Sequence, residues 1–217
     1  EMNANWGLPD VKAELPNCKN SSIRFFYIPK TTATQPQDNC GGSWVECDSN
    51  TIKGFSAVGY FFGKKLNSTL NVPIGLINAN WGGTPAEVWT EPNAVSNDAQ
   101  LKESAAKLQP YDWWPYLPGY TFNGMIAPIT NFSIAGAIWY QGESNARKPL
   151  EYRDLFPAMI NDWRKHWKQG DFPFLYVQLA NFMESRSLPS ESDWALLREA
   201  QQRALSLPQT GMAVTID

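Results

Sequence analysis

Histidine is the residue that this sequence has least of, with one, His166, in 217 residues. A mechanism that needs a histidine base or several histidine metal ligands must use this residue or a group outside the chain. Cysteine is also scarce, and the spacing of Cys18, Cys40 and Cys47 fits no zinc motif such as C-x-x-C. We therefore expect no metal and no cofactor. Cys40 and Cys47 bracket a short loop and are equally suited to a disulfide or to free thiols.

Long apolar runs and an excess of positive charge are missing too. No apolar stretch approaches the roughly 20 residues that cross a bilayer, and residues 1–6 lack the basic and apolar regions of a signal peptide. The net charge is −3, whereas general nucleic-acid binding needs a basic face. These absences argue against membrane and nucleic-acid partners.

The composition is that of a folded protein, with 43% apolar and 18% charged residues. Ten tryptophans are well above ordinary usage, and tryptophan often stacks on sugar rings as well as filling cores. Asn20, Asn67 and Asn131 begin Asn-x-Ser/Thr sequons, which weakly favour an extracytoplasmic location.

Five short apolar or β-rich segments, each followed by a polar, glycine or proline break, predict buried strands. They are residues 23–29, 73–81, 136–141, 174–180 and 212–217. Segments of helical periodicity alternate with them, at residues 56–66, 93–108, 150–167 and 193–205. This alternation favours an α/β fold with a parallel sheet, in which functional groups gather at the carboxyl ends of strands.

A glycine turn follows the second predicted strand. Gly82 and Gly83 turn the chain, Thr84 is a candidate N-cap with Pro85 at the first helical position, and Glu87 completes a capping box. Glycine allows a backbone N–H to approach a ligand oxygen, and a helix start adds a positive dipole end. The turn is either an oxyanion site or an ordinary strand-to-helix connection.

Polar residues also follow the third predicted strand. Gln141 and Asn145 each carry an amide that can donate to a developing oxyanion, and Glu143 is suited to orienting a partner or to lying in solvent. The same stretch approximates the G-x-S-x-G elbow of α/β-hydrolases, which makes Ser144 a rival nucleophile. Its base would have to be His166, on a predicted helix.

Aromatic residues fill the long loop at residues 109–123, and long loops in compact domains are often binding rims. Trp113 lies in this loop, and Asn123 at its end is a candidate for lining a site or for making a turn. Trp81, beside the glycine turn, is a further candidate for contact with a ligand.

Four stretches together resemble the sialate O-acetylesterase family of the SGNH hydrolase superfamily. They are residues 75–89, which end in W-G-G-T-P-A-E-V-W, then W-Y-Q-G-E-S-N at 139–145, F-P-A-M-I-N-D-W-R at 156–164, and residues 172–179. The resemblance covers nearly the whole chain in order. It implies a flavodoxin-like parallel sheet with helices on both faces, one domain over residues 1–217, and removal of acetyl groups from sugar hydroxyls without a metal.

The resemblance also assigns roles to residues of this sequence. It implies that the backbone of Gly82 or Gly83 and the side chain of Gln141, with Asn145 as second choice, form the oxyanion hole. An acetylated carbohydrate is the implied substrate, with contacts expected from Glu143, Asn123, Trp81 and Trp113. A secreted, periplasmic or lysosomal location follows from the same resemblance.

The family's nucleophilic serine, in a G-Q-S-N-M block after the first strand, and its histidine, in an Asp-x-x-His-type block, have no counterpart in this sequence. We therefore expect this chain to be the central part of a longer enzyme. Residues 1–217 would be an incomplete SGNH-type domain that lacks its first strand and is inactive as written. Either a companion segment supplies the strand and both catalytic residues, or the sequence is an excerpt of a longer one, or the fragment packs differently. The alternatives are a non-catalytic carbohydrate-binding module that uses the aromatic loop, and an α/β-hydrolase that uses Ser144.

Overall fold

A computed structural model describes residues 3, 11–182, 184, 188 and 190–216. Within it the chain divides into two compact units. The first unit comprises Glu1–Lys30 and Asn39–Gly82, and the second comprises Thr31–Asp38 and Gly83–Asp217. The expectation of one domain stays a prediction.

The first unit is a three-stranded sheet with a helix packed on it. Its elements are α1 (Val11–Glu14), β1 (Asn20–Tyr27), β2 (Trp44–Cys47), α2 (Ala57–Leu70) and β3 (Ile74–Asn78). The strand order is β2-β1-β3, with β1 antiparallel to β2 and parallel to β3.

The core of this unit lies between the sheet and α2. The rings of Phe25 and Phe55 stack with centroids 4.1 Å apart, and Tyr60 of α2 meets Phe25 edge-on. Ser56 caps α2, because its Oγ accepts a hydrogen bond from Gly59 N at 3.1 Å. These contacts fix α2 against β1, the central strand of the sheet.

Two predicted strands and the helix of this unit are confirmed, at residues 20–27, 74–78 and 57–70. The antiparallel strand Trp44–Cys47 was not predicted. Three of its four residues are exposed, so it has no buried apolar run to reveal it. Cys40 and Cys47 are free thiols, and Cys47 Sγ instead donates to Cys18 O.

The second unit contains a fully parallel sheet. Its elements are α3 (Pro92–Ser96), α4 (Ala99–Ala106), a π-helical turn (Phe122–Ile126), β4 (Ala137–Trp139), α5 (Pro149–Trp167), β5 (Phe174–Val177), α6 (Asp193–Arg203) and β6 (Thr210–Ala213). The strand order is β4-β5-β6, and Tyr176 of β5 lies between Trp139 and Met212. Parallel strands connected through helices confirm the predicted α/β fold.

Aromatic side chains dominate the core between α5 and this sheet. Trp139 and Trp163 pack edge-to-face at 5.8 Å, and Phe156 meets Phe174 and Tyr176 in the same manner. The high tryptophan content therefore serves the core in part. The packing holds β4, and with it the residues that follow its carboxyl end.

Two boundaries differ from the sequence prediction. The single helix expected at 93–108 is two helices, because Asp98 caps α4 by accepting from Gln100 N and Leu101 N, both at 2.9 Å. The strand expected at 212–217 lies at Thr210–Ala213, where it pairs with all four residues of β5; residue 217 is outside the described part. None of the helices in the described part is both long and apolar enough to cross a membrane.

Candidate active site

Gln141 follows β4 at the carboxyl end of the strand, and its amide joins three segments. Nε2 donates hydrogen bonds to Thr84 O at 3.2 Å and to Asn145 Oδ1 at 2.7 Å, while Oε1 accepts from Tyr152 Oη at 3.0 Å. Its backbone oxygen accepts from Gln201 Nε2 at 3.0 Å. Both amide hydrogens are used within the protein, so donation to an oxyanion requires one of these bonds to be exchanged. That role of Gln141 stays a prediction.

Asn145 is buried and holds the segment that follows the glycine turn. Its Oδ1 accepts from Ala86 N at 2.9 Å, and its Nδ2 donates to Glu87 Oε2 at 2.8 Å. Glu87 is only 2% exposed, and this burial raises the pKa of its carboxyl, whereas the hydrogen bond from Asn145 acts in the lowering direction. Asn145 is itself only 2% exposed, so its role as an oxyanion donor stays a prediction.

Gly83 brings the turn, the residues after β4 and the aromatic loop together. Its φ of +82° is in the left-handed region, and a Cβ there would lie 2.5 Å from the ring of Trp114. Ser144 Oγ donates to Gly83 O at 2.7 Å. With the bond from Gln141 to Thr84 O, this places the glycine turn beside the amide residues, as the resemblance implies. Gly82, the preceding residue, is exposed and belongs to the first unit.

The predicted capping box is wrong. The segment after the turn is one 3₁₀ turn, Ala86–Trp89, for which Pro85 is the N-cap rather than the first helical residue. Thr84 Oγ1 accepts from Trp89 Nε1 at 2.8 Å, and Glu87 bonds Asn145 instead of reaching back. The segment is therefore held by buried side-chain bonds, and a helix dipole adds nothing to the site.

The aromatic loop exposes two aromatic side chains to solvent. The rings of Tyr111 and Trp114 stack at 4.7 Å, and Trp113 meets Trp114 edge-on at 6.3 Å. Trp113 is 79% exposed and Tyr111 is 58% exposed. Since Trp114 covers Gly83, this pair adjoins the glycine turn and is suited to stacking against a sugar ring.

Asn123 lies in the π-helical turn Phe122–Ile126 and is buried. Its Nδ2 donates to Ala33 O at 3.2 Å, and its backbone oxygen accepts from Gln37 N at 3.0 Å. In the described residues its buried Oδ1 has no hydrogen-bond partner. Asn123 therefore fixes the segment Thr31–Asp38, and contact with substrate stays a prediction.

Glu143 and Trp81 were the other predicted substrate contacts. Glu143 is exposed, and its charge adds to burial in raising the pKa of Tyr140. Trp81, in the first unit, is half-buried, with Lys30 Nζ 5.8 Å from its ring centroid. Their predicted substrate contacts remain untested by this geometry.

Ser144 and His166 do not form a nucleophile–base pair. The Ser144 hydroxyl donates to Gly83 O, whereas His166 Nε2 lies 3.4 Å from Asp162 Oδ1 in the last turn of α5. The ring of His166 also packs edge-on against Phe122 at 4.9 Å. The elbow hypothesis gains no support from this geometry.

Sequence reasoning missed three residues of the site. Glu87 was assigned to a cap, and Tyr152 and Gln201 were overlooked, although all three are buried and bond the predicted site residues. Tyr152 and Gln201 stand among polar and charged neighbours and offered no signal, whereas Glu87 is a polar group between apolar residues. Such a group needs a partner inside the protein.

A polar cavity in the first unit was missed as well. It has a volume of about 130 Å³ and lies at the carboxyl ends of β1 and β3. Its lining residues are Asn3, Tyr27, Lys30, Gly54, Ser56, Asn78 and Asn80.

Comparison with known families gives one matching model. Residues 31–217 match the family described as carbohydrate esterase, sialic acid-specific acetylesterase. The chain is 32% identical to the sialate O-acetylesterase of Pongo abelii over 220 residues, which cover 90% of this chain and 41% of the relative. It is 35% identical to the human sialate O-acetylesterase over 182 residues, which cover 76% of this chain and 34% of the relative. The chain thus spans less than half the length of these relatives.

Solved structures agree with this comparison. A carbohydrate acetylesterase from Xanthomonas citri superposes with a TM-score of 0.85 and 38% identity, covering 100% of this chain and 48% of its own. A protein from Arabidopsis thaliana superposes with a TM-score of 0.54 at 18% identity, over 90% of this chain and 69% of its own, and supports the fold alone. The chain belongs to the sialic acid-specific acetylesterase family of carbohydrate esterases.

Proposed function

We propose that this chain is the central part of a carbohydrate O-acetyl esterase and carries its oxyanion hole. The observation that carries the proposal is the contact between the Gly83 turn and the amide residues after β4, through Gln141 to Thr84 O and Ser144 to Gly83 O. A backbone N–H beside an amide N–H is the arrangement that stabilises the tetrahedral intermediate of acyl transfer. Family membership supports an acetylated sugar as the substrate.

The reaction needs two groups that residues 1–217 do not supply. A serine Oγ from a companion segment attacks the acetyl carbonyl carbon, and a histidine of that segment takes the serine proton. The intermediate then expels the sugar oxygen, which receives this proton from the histidine. Water hydrolyses the acetyl-serine to acetate and restores the serine.

This chain stabilises the negative charge on the carbonyl oxygen. The Gly83 N–H and one amide N–H from Gln141 or Asn145 are the donors. Loss of one such donor costs about 3–4 kcal/mol of barrier. The buried Glu87 holds Asn145 through Oε2, so that the amide does not have to reorient during the reaction.

The open edge of β4 is suited to receiving the companion strand. Of the described strands, β5 alone pairs with β4, so the other edge of β4 leaves backbone N–H and C=O groups without a ladder partner. A parallel strand along this edge would end beside Gln141. A serine directly after that strand would then lie next to the oxyanion donors.

The aromatic loop forms the sugar-facing rim. Tyr111 and Trp113 expose ring faces next to the glycine turn, and a pyranose ring offers C–H groups that pack on such faces. The same exposed pair favours a second candidate function, a carbohydrate-binding module without catalysis. An extracytoplasmic location fits an esterase acting on such sugars, and the sequon residue Asn131 is exposed for glycosylation.

The proposal is tested by comparing residues 1–217 alone with the full-length polypeptide that contains them. We expect acetate release from O-acetylated sialic acid or acetylated xylose by the full-length polypeptide, and none from residues 1–217. Sugar binding by the full-length polypeptide without hydrolysis would instead support the binding module. Aryl acetate turnover by residues 1–217 that is lost in Ser144→Ala would support the elbow hypothesis.

A further inference from the structure

Three metal-ligating side chains converge where α5 meets the start of α3. Asp162 and His166 are four residues apart on α5 and so share one face of the helix. Glu91 is the N-cap residue of α3. One ligand atom from each of the three residues lies within 4.8 Å of the others.

The spacing of these atoms suits a bound ion. Asp162 Oδ1 and His166 Nε2 are 3.4 Å apart. Two ligands that each lie about 2.0–2.2 Å from a tetrahedral ion are about 3.4 Å from one another. The helix therefore sets the separation that two ligands of one ion require, and Glu91 is within reach as the third.

Neighbouring groups already orient the three side chains. Asp162 Oδ2 accepts from Glu91 N at 3.0 Å, which leaves Oδ1 turned toward His166. Glu91 Oε2 accepts from Asn93 N at 2.9 Å and Oε1 accepts from Asn93 Nδ2 at 2.6 Å. Phe122 packs edge-on against the His166 ring. Such outer contacts are what fix the ligands of a metal site.

The two carboxylates of the cluster, Glu91 and Asp162, favour the binding of a positive charge. Asp162 is 7% exposed, and burial raises the pKa of its carboxyl, as does the charge of Glu91, whereas the Glu91 N–H, His166 and Lys165 act in the lowering direction. A divalent cation would compensate both carboxylates at once. The His166 side chain is 34% exposed, so an ion can enter from solvent and keep a water as its fourth ligand.

We propose that Glu91, Asp162 and His166 form a binding site for a divalent transition-metal ion of the Zn²⁺ type. Imidazole with two carboxylates is a donor set that such ions accept. The ion would clamp α5 to the start of α3, next to the point where Trp163 Nε1 donates to Trp89 O at 2.9 Å. Its role is to stabilise the segment that carries Glu87, and it takes no part in ester hydrolysis.

The test uses the full-length polypeptide that contains residues 1–217, purified without a histidine tag. The imidazole resonances of His166, the one histidine of residues 1–217, are identified by their absence from His166→Gln. We expect Zn²⁺ titration to shift these resonances and to give one binding event per chain by calorimetry. Binding should weaken by roughly 100-fold in His166→Gln, since a direct ligand is lost.

Glu103→Gln is the matched control, because Glu103 is an exposed acid paired with Lys107 on α4. We expect Zn²⁺ to raise the Tm of the unmodified chain and of Glu103→Gln equally, and to leave that of His166→Gln unchanged. His166→Gln is preferred to Asp162→Asn, because His166 is partly exposed whereas Asp162 is buried, and a change at a buried position can prevent folding. Imidazole resonances that do not move with Zn²⁺, or equal Zn²⁺ affinity in His166→Gln, would overturn the proposal.

Discussion

Asn145 Nδ2 donates a hydrogen bond to Glu87 Oε2 at 2.8 Å, although the two residues are 58 positions apart and both are buried. This bond ties the segment after the glycine turn to the segment after β4. Ala86 N donates to the other end of the same amide. The glycine turn is thus fixed by side chains of another segment, and the local sequence alone does not determine its position.

The first prediction concerns the pH dependence of stability at Glu87. Burial raises the pKa of its carboxyl above 4.5, so the folded state binds the proton more tightly than the unfolded state. The free energy of unfolding should therefore fall as the pH rises from the unfolded pKa through the folded pKa. Glu87→Gln lacks this ionisation, and its stability relative to the unmodified chain should increase over the same range. Urea unfolding at several pH values measures this difference.

Glu103→Gln is the control, since Glu103 is exposed and the hydrogen bond from Lys107, with its charge, lowers the pKa of the Glu103 carboxyl, the opposite direction. Its stability relative to the unmodified chain should not increase with pH. A Glu87→Gln curve parallel to that of the unmodified chain would contradict the assignment of a buried, proton-retaining carboxyl.

The second prediction concerns the close approach at Gly83. In Gly83→Ala the alanine has to adopt a positive φ, and its Cβ meets the ring of Trp114. We therefore expect a loss of about 2–4 kcal/mol in the free energy of unfolding. Gly170 also has a positive φ, of +70°, but nothing lies within 4 Å of its Cβ position. Gly170→Ala should therefore cost only the backbone strain, about 1–2 kcal/mol. Equal losses in chemical denaturation of the two variants would show that Trp114 does not pack on the turn.

The third prediction concerns the aromatic rim. Trp113 is 79% exposed, so Trp113→Ala should change the free energy of unfolding by less than about 0.5 kcal/mol. In the full-length polypeptide it should raise KM for an acetylated sugar and leave KM for a small aryl acetate unchanged, because only the sugar reaches the rim. Leu70→Ala, at another exposed apolar position on α2, should change neither KM value. An unchanged KM for the sugar ester in Trp113→Ala would rule out this rim.

The sequence predicted the elements whose patterns are local. Strands β1, β3, β4 and β5 and helices α2, α5 and α6 were expected within a few residues of their observed bounds, because each has a continuous apolar pattern. The edge strand β2 was missed, because three of its four residues are exposed. The break at Asp98 was missed because a capping side chain also occurs inside helices.

The candidate site was predictable only where its residues follow a local sequence pattern. Gln141, Asn145 and Gly83 were singled out because they follow strands at the carboxyl edge of a sheet, a general place for function, and their roles stay predictions. The role of Glu87 was not found, because its partner comes from a segment 58 residues away. A capping box is a local pattern, and here buried long-range hydrogen bonds prevail over it.

The oxyanion hole is tested most directly by kcat of the full-length polypeptide carrying Gln141→Ala, with acetate release as the readout. We expect kcat to fall by about 10²–10³-fold with little change in KM, because the lost donor acts in the transition state. Ser144→Ala, which removes the neighbouring bond to Gly83 O, should lower kcat by less than tenfold and serves as the matched variant. A folded Gln141→Ala enzyme with undiminished kcat, together with an inactive Ser144→Ala enzyme, would contradict the account.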